Sequence, residues 1–177
     1  MRKLVYYVAT SLDGYIAGPN ESIDLFAMDG SLVEKYQQDL RDFDTVVMGR
    51  KTYEFGYKFG LPPGQPAYPH MRHYIFSDSL TLENPHDLVK VVKRDTSTIK
   101  QLKQEEGTDI YLCGGGAFAG WMLDEKLIDI LIIKLNPIVL GSGTPLFGDS
   151  NTATKLNQLD NQEFEGGLSL RTYHIHY

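Results

Sequence analysis

The chain has 177 residues, 42% of them hydrophobic and 23% charged, with a formal net charge of −6. That balance belongs to a globular domain with a substantial core, and the negative sign argues against nucleic acid or an anionic membrane as partner. A lone cysteine, Cys113, excludes an intramolecular disulfide and a cysteine metal cluster.

Leu4 to Thr10 reads as a buried first strand, closed by a turn at Asp13-Gly14. The apolar start is too short for a secretory leader, and no stretch approaches the roughly 20 apolar residues of a membrane span. The expectation is a cytoplasmic protein. After a loop broken by Gly18-Pro19-Asn20, a helix is predicted from Ser31 to about Phe43, with Ser31 and Glu34 as a capping box. Leu32, Val33, Tyr36, Leu40 and Phe43 share its apolar face. Thr45 to Met48 is a short strand, and Phe55 to Pro69 a loop rich in Gly, Pro and Tyr. Strands at Tyr74–Phe76 and Leu88–Val92 lead to a polar helix capped by Ser97. Asp109–Cys113 is an apolar strand, followed by three glycines and a helix from Ala117 to about Leu127. Ile128 to Leu135 is the most apolar strand; after a loop from Pro137 to Phe147, Leu168 to Tyr177 alternates as a closing strand. Strands alternating with helices imply crossovers and a parallel sheet, whereas the last strand is expected to be antiparallel. The reading is one α/β domain over residues 1–177, three layers (α/β/α) around a mixed, mostly parallel sheet.

Two turns carry the chemistry. Cys113-Gly114-Gly115-Gly116 joins a strand to a helix, where bare backbone and a helix start suit a pyrophosphate; a tight turn needing positive φ explains the same residues. Met48-Gly49-Arg50-Lys51-Thr52 is a second strand end, whose cations either neutralise a phosphate or merely face water. Both turns lie at carboxyl ends of predicted strands, where open α/β sheets place their ligand crevice.

These segments resemble those of dihydrofolate reductase and its relatives. Val46-Val47-Met48-Gly49-Arg50-Lys51-Thr52-Tyr53-Glu54 is similar to that family's signature turn, and Ile110 to Gly116 to its second nucleotide-binding turn. Ser11-Leu12-Asp13-Gly14-Tyr15-Ile16-Ala17 and the segment Asn136 to Phe147 resemble the riboflavin-biosynthesis reductase branch. The resemblance implies NADPH as cofactor. It places Gly49, Arg50, Lys51 and Thr52 at the adenosine side and pyrophosphate, and Ser77 near the 2′-phosphate. Gly115, Gly116, Ala117 and Phe118 would offer amides to the pyrophosphate, and the backbone of Ala9 and Ile16 would hold the nicotinamide carboxamide. A cis peptide is expected within Gly114 to Gly116.

The chain departs from the pattern too. Asp78 puts a carboxylate beside the 2′-phosphate position, Glu34 stands where the pterin-binding acid is sought, and Pro62-Pro63-Gly64-Gln65-Pro66 replaces the branch's phosphoribosyl-binding segment. Asp13 is the first candidate for a proton route, or else a cap of its own turn; Asp24 is the second. His70 and His73 receive no role, and His174 and His176 read as an exposed strand face rather than a metal site. Tyr53, Tyr57, Tyr68, Phe55 and Phe59 either line an aromatic pocket or pack the Pro-rich loop. The expected function is hydride transfer from NADPH to a small heterocyclic acceptor, against a non-catalytic NADP(H) sensor or a scaffold retaining only the fold. A homodimer is expected through the apolar face carrying Tyr173, Ile175 and Tyr177.

Overall fold

A computed structural model describes residues Met1–Tyr177. In chain order the elements are β1 (Leu4–Thr10), β2 (Tyr15–Ala17), α1 (Ser31–Asp39), β3 (Thr45–Gly49), α2 (Arg50–Phe55), β4 (Arg72–Phe76) and β5 (Val89–Val92). There follow α3 (Thr96–Gln104), β6 (Ile110–Gly114), α4 (Gly116–Asp124), β7 (Ile130–Leu135), β8 (Thr144–Pro145), β9 (Lys155–Glu163) and β10 (Ser169–His176). Eight strands form one sheet in the order β5-β4-β3-β6-β1-β7-β10-β9, and β2 pairs with β8 in a separate small ladder. The six strands from β5 to β7 run parallel; β10 is antiparallel to β7 and to β9.

The pleat divides the core in two. Along β1, Leu4 and Tyr6 point to one face and Val5 and Tyr7 to the other. The first face packs under α3 and α4 through Ile99, Leu102, Phe118 and Met122. The second packs under α1 and α2 through Leu32 and Tyr53. The three-layer α/β/α fold is therefore as the periodicity predicts. No helix is long and apolar enough to cross a membrane.

Several local expectations need correction. Ser31 is the first residue of α1, not its cap; Gly30, at φ 91, precedes it and no side chain caps the helix. At α3 the cap is Asp95, whose carboxylate accepts from the Ser97 amide 2.9 Å away. There are no cis peptides; the glycine turn bends through positive φ at Gly114 (137°) and Gly115 (91°). β9 was not foreseen because all nine of its residues are exposed and give no apolar alternation. His73 belongs to β4 and is wholly buried, since that strand begins two residues earlier than predicted. Ile175 and the half-buried Tyr173 pack into the chain's own first core, and the Tyr177 hydroxyl donates to the Ile128 carbonyl (3.0 Å). Tyr177 itself stays 49% exposed, so the chain covers that face only in part.

Candidate functional site

A cavity of about 670 Å³ opens at the carboxyl ends of β1, β3, β4 and β6, a size suited to a small ligand or cofactor. Every residue expected to hold the cofactor lines it: Ala9 and Ile16 from the β1–β2 side, Gly49 to Thr52 from the start of α2, Ser77 after β4, and Gly114 to Phe118. β4 and β1 are separated by β3 and β6, so the cavity spans three strand spacings, roughly 14 Å. That length matches an extended ligand rather than a compact one.

At the β4 end the lining is polar. Arg50 donates through Nη1 to the Ser79 hydroxyl (2.9 Å) and through Nε to Glu54 (2.8 Å). The Ser77 Oγ accepts from the amides of Ser79 (3.2 Å) and Leu80 (2.9 Å), which leaves its own proton free to donate. Arg94, which sequence reasoning did not single out, also lines this end, its guanidinium 5.0 Å from the Trp121 ring centre. The Asp78 carboxylate accepts from the Arg94 amide (3.2 Å), so the acid that opposes a phosphate is tied to the same cation-bearing turn.

The glycines of this turn are also required by packing. A Cβ on Gly115 would lie 2.7 Å from the Thr52 hydroxyl, and one on Gly116 would run into the Pro145 carbonyl oxygen. Residues 144–148 are seated directly on the glycine turn. β2 and β8 form the rim, and the Tyr6 hydroxyl donates to the Leu146 carbonyl (3.0 Å) beneath it.

Neither candidate acid lines the cavity. Asp13 is exposed and accepts from the amides of Leu140 (3.1 Å) and Gly141 (2.7 Å). The Ser11 hydroxyl, with these amides, holds its carboxyl down to about 2. It clasps two loops. Asp24 bonds the Ser22 hydroxyl (2.9 Å) and is likewise outside. Tyr53 donates to the Gln65 carbonyl (2.8 Å) and packs edge-on against Tyr57, so these two brace the Pro-rich loop. Phe55 reaches the cavity.

Where the cavity meets the second core, a group of polar side chains gathers that sequence spacing did not reveal. Cys113 lines the cavity and lies 3.5 Å from the Tyr68 hydroxyl. Tyr36 and Tyr111 share a hydroxyl hydrogen bond of 2.6 Å. The Lys134 ammonium rests 3.2 Å from the centre of the Tyr36 ring and 6.0 Å from that of Tyr7. Burial lowers this lysine to about 8 and raises Tyr36 to about 12. A signal existed: Lys134 is the one charge in the apolar strand Ile130–Leu135, on the same face as Ile132.

Residues 2–170 match the RibD C-terminal domain. The chain belongs to that family. It is 35% identical over 172 residues to the Bacillus subtilis protein YwjB, covering 96% of each chain. A crystal structure of a Shewanella sp. PV-4 protein named for riboflavin biosynthesis superposes with a TM-score of 0.81 at 28% identity, over the whole of both chains. Dihydrofolate reductase from Enterococcus faecalis, complexed with NADP(H), shares the fold at TM-score 0.67 and 14% identity, covering 99% of this chain and 97% of that one. This RibD-type domain therefore has a reductase-like fold, as its turns suggested.

Proposed function

We propose that this RibD-type domain is an NADPH-dependent reductase of the cytoplasm that passes hydride to a small heterocyclic acceptor. The observation that carries this is one elongated cavity lined by Gly49 to Thr52 of the first turn, by Cys113 to Gly116 of the second, and by the cations Arg50, Lys51 and Arg94. The three cations would neutralise the 2′-phosphate, with the Ser77 hydroxyl donating beside them. The amides of Gly116 and Ala117, at the start of α4, would face the pyrophosphate, where the helix end adds partial positive charge. The backbone of Ala9 and Ile16 would fix the nicotinamide, three strand spacings away. The cofactor, when bound, would supply the hydride; the protein's part is to orient the reacting faces and exclude water. That the Enterococcus reductase is complexed with NADP(H) on the same fold supports this reading.

The test is a fluorescence titration with NADPH, followed by its oxidation in the presence of pyrimidine and pterin acceptors. Binding without oxidation by any acceptor would favour a sensor; absence of binding would leave only the fold. We also propose a homodimer through the closing strand's face, where Tyr177 remains 49% exposed, with Leu156 and Leu159 of the neighbouring β9 at 44% and 56%. Light scattering decides it: 20 kDa is the monomer mass, and twice that is expected.

A further inference from the structure

Lys134 has no anionic partner for its charge. No carboxylate forms a salt bridge with it, and no oxygen accepts a hydrogen bond from its ammonium; it rests against the faces of Tyr36 and Tyr7, with the neutral Cys113 thiol nearby. Asp39, the carboxylate of the same cluster, is engaged by Lys35 and by the Tyr7 hydroxyl (3.0 Å). A half-buried ammonium without an anion is costly, and burial lowers this one to about 8. Such a group persists where something else completes it.

Its place in the sheet says what that is. In the β1–β7 ladder Lys134 pairs with Ala9, and Ala9 lines the cavity at the end assigned to the nicotinamide. Cys113, on the same face of the sheet, lines the cavity as well and lies beside the Tyr68 hydroxyl. A flat molecule entering between α1 and the sheet would meet aromatic faces, hydroxyls and one unpaired cation, and its edge would reach the cavity beside Ala9. Carbonyl oxygens are the fitting complement, because they accept from an ammonium and from tyrosine hydroxyls without bringing a full charge.

We infer that Lys134, with Tyr36 and Tyr68, forms the acceptor half of the site and takes a flat ring bearing a carbonyl oxygen, which receives the Lys134 ammonium. The position of this half beside the hydride donor rests on the cofactor reading above; its ability to bind a ring does not. The ligand class follows from the donor set: a bicyclic dione such as lumazine should bind, whereas quinoxaline, equally flat but without a carbonyl, should not.

The experiment follows Lys134 directly. Lysines of the intact protein are ¹³C-methylated, and the Lys134 resonance is assigned by its loss in Lys134→Met. Lumazine and then quinoxaline are titrated in, with and without NADPH. Lumazine should move the Lys134 resonance and quinoxaline should not. Lys134→Met should weaken lumazine by about tenfold or more, Lys134→Arg should restore most of the affinity, and NADPH affinity should stay within about twofold. A lumazine that leaves the resonance unmoved, or binds Lys134→Met as tightly as the parent, overturns the inference; so does quinoxaline moving the resonance equally. Loss of NADPH binding in the parent protein would instead sink the cofactor reading, and the lumazine shift measured without NADPH would still decide this one. Melting temperatures of both variants show that the fold is retained.

Discussion

The two halves of the proposed site are made in different ways. The proposed cofactor half is mostly backbone: glycines at 49, 114, 115 and 116, a helix start, and cations carried on the turn itself. The proposed acceptor half is side chains delivered by separate elements, Tyr36 from α1, Tyr68 from a loop, Cys113 from β6 and Lys134 from β7, of which Cys113 alone lines the cavity. A backbone site demands particular residues at fixed short spacing, so it leaves a readable string. A side-chain site demands only that distant positions converge, and leaves none.

The contrast can be broken by substitution. The largest effect is expected at Gly116→Val, where the new side chain meets the Pro145 carbonyl oxygen. Overpacking against backbone should cost about 3 kcal/mol of stability, seen as a lower melting temperature as well as lost NADPH binding. A variant that melts normally but fails to bind would mean that the glycine serves the ligand alone.

The acceptor half should instead be vulnerable to acid. His73 Nε2 accepts from the Tyr68 amide (3.1 Å) while Nδ1 donates to the Met71 carbonyl (3.0 Å), and the ring stacks on Tyr68. These partners require the neutral tautomer. Burial lowers this histidine from 6.5 to about 4. The unfolded chain therefore takes up a proton that the folded chain refuses. Stability should be full above pH 6.5 and fall by roughly 3 kcal/mol as pH drops to 4. Chemical denaturation at a series of pH values measures it, and His73→Gln should flatten the slope.

At the polar end of the cofactor half, Arg50→Ala should weaken NADPH by about 1.5–3 kcal/mol and NADH far less. Equal losses in paired titrations would show that Arg50 does not read the 2′-phosphate. The smallest effect is expected at Asp13→Asn. Because Asp13 clasps the amides of Leu140 and Gly141 outside the cavity, faster hydrogen exchange at those amides should appear without a change in NADPH affinity. A tenfold fall in turnover with unchanged exchange would return Asp13 to the chemistry.

Legibility followed the same division. The layered fold and the residues lining the cavity could be read because alternation, helical spacing and glycine punctuation are local. The caps at Ser31 and Ser97 were misplaced by one or two positions: α1 starts from Gly30 with no side-chain cap, and at α3 the neighbouring Asp95 takes the role in place of Ser97. β9 was invisible because its pairing with β10 rests on main-chain hydrogen bonds while its side chains all face water. Lys134 was visible only as a charge out of place.

The loop from Gly143 to Gly148 is fitted to its surroundings at four glycines. A Cβ at Gly143 would strike the Ala17 carbonyl, one at Gly148 the start of α4, one at Gly116 the Pro145 carbonyl and one at Gly120 the Phe147 carbonyl. Loop and helix are cut to one another like a dovetail joint. Evolution can therefore vary this rim only by paired change, and an insertion here would lift the loop off the helix.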